Sequence, residues 1–272
     1  MVWRGSGPRA LPSHWNDYHR RWSRLTAPLR PDADIVRGFE ETVRGHEDRV
    51  LLLGVTQELV HIGGTLSAID RSEGMIANVW PGNTARARAQ AANWLSPPFE
   101  DASFTAVIGD GSLSAIAWPN DYRTLFAQSA RLLKPGGVMA LRLFLSPDEA
   151  ETLAELRKRV LDKECSSFHA FKWRLAMAVV AETGDPNIAV TAIRDAFNAM
   201  FADREMLAGR TGWRADDIET IDVYANSPDV YSFPNFAQLR AAIPETFGKV
   251  RLIACGSYPL AERCPFLAME RL

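Results

Sequence analysis

The sequence predicts an α/β protein built on a doubly wound, mostly parallel sheet. A C-terminal antiparallel hairpin and a helical insertion complete it. Three observations predict it. Short apolar runs alternate with helical patterns between residues 49 and 144, which is the signature of parallel strands joined by crossover helices. The period stays helical from residue 146 for nearly a hundred residues. Apolar runs of strand length then return at 249–254 and 266–269, close enough together to pair as a hairpin.

The elements follow in order. Ser13 is a plausible helix cap, and Trp15, Tyr18, Trp22 and Leu25 follow at helical spacing until Pro28 and Pro31 interrupt them. A second helix over 33–44 carries Ile35, Phe39 and Val43 on one face. The run 49–54 is a buried strand ending in glycine. Thr56 is placed to cap a two-turn helix over 57–62, which Gly63 and Gly64 stop. Residues 65–70 form the second strand, and Ser72 caps a helix running to about residue 80. The third strand, 86–93, is weakly patterned. The fourth is 104–109, followed by an amphipathic helix over 121–133, a turn at 134–137 and a fifth strand over 138–144. In the helical stretch, SPDE at 146–149 reads as a capping box. Residues 167–183 are apolar on more than one side and belong inside. Asp185 and Pro186 open a helix whose Ile193, Phe197 and Phe201 form one stripe.

Composition narrows the classes. The chain has 272 residues, of which 47% are hydrophobic, enough for a full core, and a formal net charge of −2 that predicts no basic groove for nucleic acid. The cluster Arg20, Arg21, Arg24 and Arg30 reads as a solvated helix face. Three cysteines without a C-x-x-C pair predict reduced thiols and a cytoplasmic protein. No apolar run reaches the roughly 20 residues that span a bilayer, and residues 1–10 hold no secretory h-region. The five histidines lack metal-ligand spacing, so no metal site is expected.

Five motifs, in this order and spacing, carry a resemblance. They are VLLLGVTQE at 50–58, AIDRSEGMI at 68–76, NWLSPPFEDASF at 93–104, GDGSL at 109–113 and LLKPGG at 132–137. Together with the terminal hairpin they resemble the class I S-adenosylmethionine-dependent methyltransferase family, whose core is Rossmann-like. The resemblance implies S-adenosylmethionine as cofactor and these site residues. Gly54, Val55 and Thr56 would form the loop after the first strand. Asp70 would accept hydrogen bonds from the ribose hydroxyls, with Arg71 beside it. Asn93 and Trp94 would flank the adenine, and Asp110 and Gly111 would lie toward the sulfonium end. The family's G-x-G-x-G is reduced to Gly54, and Thr56 and Glu58 are expected to crowd the approach. Plainer roles stay open: Asp70 as a helix cap, Asn93 as a turn residue and Trp94 as core.

The resemblance divides the chain into an N-terminal helical cap (1–48), a cofactor-binding core (49–145), a helical insertion or lid (146–245) and C-terminal strands completing the sheet (246–272). Cap and lid would supply the substrate pocket, with Tyr18, Trp22, Lys172, Trp173 and Arg174 as candidates and His169 as the candidate catalytic base. Lys172 and Arg174 would suit an acidic substrate. The implied activity is methyl transfer to a small molecule, with no nucleic-acid or membrane partner and no indication of oligomeric state. The competing reading is a catalytically inactive methyltransferase-like binding or interaction protein. Dehydrogenase, nucleotide-triphosphatase and serine-hydrolase motifs are absent.

Overall fold

The computed structural model describes residues 13–272; the reading of residues 1–10 lies outside the described residues. Seven strands form one sheet in the order β3-β2-β1-β4-β5-β9-β8. The parallel part comprises β1 (Arg49–Leu53), β2 (Thr65–Asp70), β3 (Ala87–Ala91), β4 (Phe104–Asp110) and β5 (Leu133–Arg142). The last two strands, β8 (Phe247–Ile253) and β9 (Phe266–Arg271), pair antiparallel, and β9 also runs antiparallel to β5. The expected hairpin is therefore present, although residues 254–265 join its strands through a longer connection. The order reverses between β1 and β4, and a doubly wound sheet opens a crevice at that point.

Alternate residues of the central strands face opposite layers, as the two-residue period of a strand requires. Val50, Leu52, Ala106, Ile108 and Ala140 join one apolar layer with Ile35 and Phe39 of α2 (Ala33–Thr42). Leu51, Leu53, Val107, Met139 and Leu141 join the other with Tyr122, Leu125 and Phe126 of α4 (Asn120–Leu132). Strands packed on both faces must read as continuous apolar runs, and these do.

Local signals fared unevenly. Ser72 caps α3 (Glu73–Val79) by accepting from the Met75 amide at 3.2 Å. The helix expected over 33–44 is α2, headed by Asp32, whose side chain accepts from the Asp34 and Ile35 amides. Beyond Ser13 the chain makes one helical turn, α1 (Trp15–Tyr18), and then a 3-10 segment, His19–Arg24. Thr56 makes no cap bond, and the expected two-turn helix is a single 3-10 turn, Gln57–Leu59. The capping box expected at 146–149 forms instead at Thr152 and Glu155, at the head of α5 (Leu153–Leu161). Its reciprocal bonds need a hydroxyl three residues before a carboxylate with helix beyond, and that pair supplies them. After Pro186 the chain extends as β6 (Asn187–Ala189) before α7 (Val190–Met200) begins. Strand β6 pairs with β7 (Val230–Ser232), which lies far along the sequence.

α6 (Phe168–Thr183) is buried on nearly every side, as its lack of a polar face requires. It packs between α5 and α7. α8 (Arg204–Thr211), α9 (Ala215–Ile218) and α10 (Phe236–Ala242) complete the helical segment before β8.

Candidate functional site

A cavity of about 360 Å³ opens at the carboxyl ends of β1, β2 and β4, the position that open α/β sheets reserve for ligands. Gly54 directly follows β1; its amide donates to the Ile69 carbonyl at 2.8 Å and its φ is +108°. Only glycine holds that backbone without strain. A Cβ there would stand 3.8 Å from the Trp94 ring and 4.0 Å from Asp70 Oδ2, so these two side chains flank the space above Gly54. Trp94 is fixed by its indole N–H, which donates to the Ile69 carbonyl at 2.7 Å.

Asp70 ends β2. Its Oδ1 accepts from the Ser72 amide at 2.8 Å. Burial pushes its carboxyl up to about 6, opposed by the Ser72 N–H and the Arg71 charge. The side chain thus caps the next turn with one oxygen and faces Gly54 with the other. Asn93 uses its carbonyl to accept from the Leu95 amide at 3.0 Å, making the local turn while lining the cavity. The crowding expected from Glu58 does not arise: its carboxylate is drawn to Arg30 Nε at 2.6 Å and does not line the cavity. Thr56 does line it.

At the end of β4, Asp110 is held by the buried Arg142 guanidinium, which also donates to the Pro28 carbonyl at 2.6 Å. Arg142 lies over the rings of Phe144 and Tyr258, 5.0 and 5.8 Å from their centroids. Burial raises the Asp110 carboxyl and the Arg142 charge opposes it. Asp110 lines the cavity, yet its first partner is the protein's own cation. Gly111 follows at φ +64°, where a Cβ would meet Phe144 Cε2 at 2.5 Å. The Ser112 hydroxyl is buried beside the cavity and has no hydrogen-bond partner among the described residues.

Every residue expected to contact the cofactor lines this one hollow: Gly54, Val55, Thr56, Asp70, Arg71, Asn93, Trp94, Asp110 and Gly111. Tyr18, Trp22 and Trp173 also line it. The other three candidates do not. Lys172 is fully buried with an ammonium that lacks a hydrogen-bond partner among the described residues, 5.0 Å from the Tyr224 ring centroid. Burial and Arg21 push its pKa down to about 7. Arg174 is committed to Glu151 and Glu262, at 2.8 and 2.7 Å. His169 faces the Arg24 carbonyl at 3.3 Å, and burial together with Lys172 pushes it down to about 4. These positions correct the pocket expectation: adjacent residues of one helix point in different directions, and only Trp173 points at the cavity. The argument for an acidic substrate falls with them.

The sequence reading missed Trp15, Phe144, Asp229 and Tyr231, which all line the hollow. Trp15 shares the aromatic spacing of Tyr18 and Trp22 and was legible from it. Tyr231 arrives on β7 and Asp229 just before it, and neither had a local signal. Among the described residues, no group of three or more His, Cys, Asp or Glu is placed to hold a metal ion.

Sheet order, crevice and lining together define a Rossmann-like protein with a nucleoside-sized hollow. Residues 54–141 match the family model described as a methyltransferase domain. A solved Mesorhizobium loti structure described as an S-adenosylmethionine-dependent methyltransferase is similar at 15% identity and TM-score 0.50, over 88% of this chain and 98% of that one. A Rhodobacter sphaeroides structure described as a zinc-dependent alcohol dehydrogenase is similar at 10% identity and TM-score 0.60, over 96% of this chain and 98% of that one. At such identities both show the fold alone. No curated protein sequence matches the chain. Residues 54–141 thus match a methyltransferase-domain model within a Rossmann-like sheet.

Proposed function

We propose that this chain binds S-adenosylmethionine in the strand-end hollow and transfers its methyl group to a small molecule. One observation carries the reading: Gly54, Asp70 Oδ2 and Trp94 converge on the same space, so a carboxylate, a bare backbone and an aromatic face meet where a nucleoside needs them. The residues present fit the cofactor. Asp70 offers an acceptor-only group to paired ribose hydroxyls. Asn93 and Trp94 stand beside it for the base, one with an amide edge and the other with a ring face. The unpartnered Ser112 hydroxyl has hydrogen-bonding capacity to give.

When bound, the sulfonium supplies an activated methyl group. The protein must then align the acceptor and keep water out. Trp15, Tyr18, Trp22, Phe144 and Trp173 form walls suited to both tasks. In this reading residues 13–48, the described part of the cap, and residues 146–245 act as the lid over a core of 49–145 and 246–272. The aromatic lining favours a small organic acceptor. The three cysteines are buried and unpaired, which suits a cytoplasmic setting. Among the described residues, no helix is long and apolar enough to cross a membrane.

Calorimetric titration with S-adenosylmethionine and with S-adenosylhomocysteine tests the reading. One-to-one binding of both is expected. Binding of neither refutes the cofactor assignment and favours the interaction-protein reading.

A further inference from the structure

His14 sits between two groups from the other end of the chain. Its Nδ1 is 2.8 Å from Asp229 Oδ2 and its Nε2 is 2.8 Å from the Tyr231 hydroxyl. The Asp229 carboxylate also accepts from the Ser13 hydroxyl at 2.6 Å, the Ser227 hydroxyl at 2.9 Å and the His14 amide at 3.0 Å. Burial works to raise this carboxyl, but the hydrogen bonds from His14, Ser13 and Ser227 hold it well below the usual range. It is therefore an ionised, acceptor-only group.

That fixes the direction of the remaining protons. Nδ1 must carry hydrogen to donate to Asp229. In the neutral ring Nε2 is then a bare acceptor, and the Tyr231 hydroxyl must be the donor. Burial keeps His14 neutral at rest, and Lys172 and Arg71 add to that effect. Tyr18 and Tyr224 close the imidazole in edge-on, at centroid distances of 5.8 and 5.3 Å. Tyr231 lines the cavity from a buried position, and burial together with Tyr224, Tyr18 and Asp229 raises its hydroxyl well above the ordinary phenol range, so it stays a donor at rest.

The tyrosine does not depend on His14 for its place. Its strand is pinned by pairing with Ile188 and by the next residue, whose Ser232 hydroxyl donates to the Ile116 carbonyl at 2.7 Å. A fully buried imidazole bridging an ionised carboxylate to a pocket phenol is the arrangement that activates a nucleophile or base in acyl-transfer sites, with tyrosine at the head.

We propose that Tyr231 is the proton acceptor of methyl transfer, backed by His14 and Asp229 as positioning residues, and that the methyl acceptor is a hydroxyl or ammonium compound that must lose a proton. This rests on the cofactor reading above. Freed of its proton, the acceptor oxygen or nitrogen uses that lone pair to bond to the methyl carbon as the carbon–sulfur bond breaks, and the broken bond's electron pair stays on sulfur. The acceptor's proton moves to the Tyr231 oxygen, the tyrosine's own proton moves to His14 Nε2, and Asp229 stabilises the imidazolium.

Two measurements on the full chain test this. Nitrogen NMR of histidine-labelled protein should show His14 as the Nδ1–H tautomer, with an Nε2 signal that shifts in Tyr231→Phe. An Nε2–H tautomer overturns the proposal, because the phenol could then pass no proton back. The second probe is 4-nitrophenol, added with S-adenosylhomocysteine below the probe's own pKa. Wild type should generate the absorbance of the bound phenolate. Tyr231→Phe should lose it, and Asp229→Asn should lower the ionised fraction about tenfold or more. No phenolate signal in wild type, or an unchanged signal in Tyr231→Phe, overturns the assignment. Calorimetry with S-adenosylhomocysteine separates the two claims. Failure to bind it strikes the cofactor reading, whereas intact binding without probe ionisation strikes the proton relay alone.

Discussion

Replacing Asp70 by asparagine isolates the ribose contact. In the wild type, Oδ1 is engaged by the Ser72 amide and Oδ2 faces Gly54. Asparagine can satisfy Ser72 only by keeping its carbonyl there, which turns its NH₂ toward the space above Gly54. A donor then stands where two hydroxyl hydrogens need an acceptor. Losing a hydrogen bond to a charged group costs about 1.5–3 kcal/mol, so S-adenosylhomocysteine should bind roughly 10- to 150-fold more weakly. The pH profile adds a second signature. The ligand selects the carboxylate, which burial holds up at about 6. Wild-type affinity should be level well above that pH and weaken as pH falls through it, whereas Asp70→Asn shows no such limb. Acid does not unfold the protein through this group. A carboxyl raised in the folded state binds protons more tightly there than in the unfolded chain, so acidification through about 6 stabilises the fold at this site. Calorimetry across this range measures both effects. An asparagine variant binding within about twofold of wild type, with a level wild-type profile, would refute the ribose role.

Three further outcomes concern stability. Arg142→Met leaves Asp110 buried without its cation and should cost about 3–5 kcal/mol in chemical denaturation, while Asp110→Asn in the same chain should recover much of that loss. Gly111→Ala places a methyl group against Phe144 in left-handed backbone and should cost roughly 1–3 kcal/mol, read as a lower melting temperature with cofactor absent. Thr152→Ala removes the reciprocal cap of α5 and should cost about 1 kcal/mol, with no change in cofactor affinity.

The core was legible because its signals are local. A strand buried on both faces must be apolar throughout, so 49–53 and 104–110 announce themselves without knowledge of their neighbours. Asp70 and Gly54 sit at strand ends, where the alternation of periods changes, and chain order alone brings consecutive parallel strand ends to one side. What failed was equally physical. The turn after Gly54 looked crowded because the sequence could not show that Arg30 draws Glu58 aside. The orientation of α6 was unreadable because a helix apolar all round has no polar face to mark the outside, so Lys172 and Arg174 were assigned to the pocket along with Trp173.

By itself, then, the chain determined its sheet, the position of the crevice and the residues at the strand ends, since each follows from the period and composition of a few neighbouring residues. Folding decided the rest. The Asp110–Arg142 pair spans 32 positions, and the Asp229–His14 contact spans 215. No local pattern encodes which distant side chain will arrive to neutralise a buried charge or orient a ring. Those partners are selected by the packing of the helical segments over the sheet, and with them the chemistry available at the far wall of the hollow.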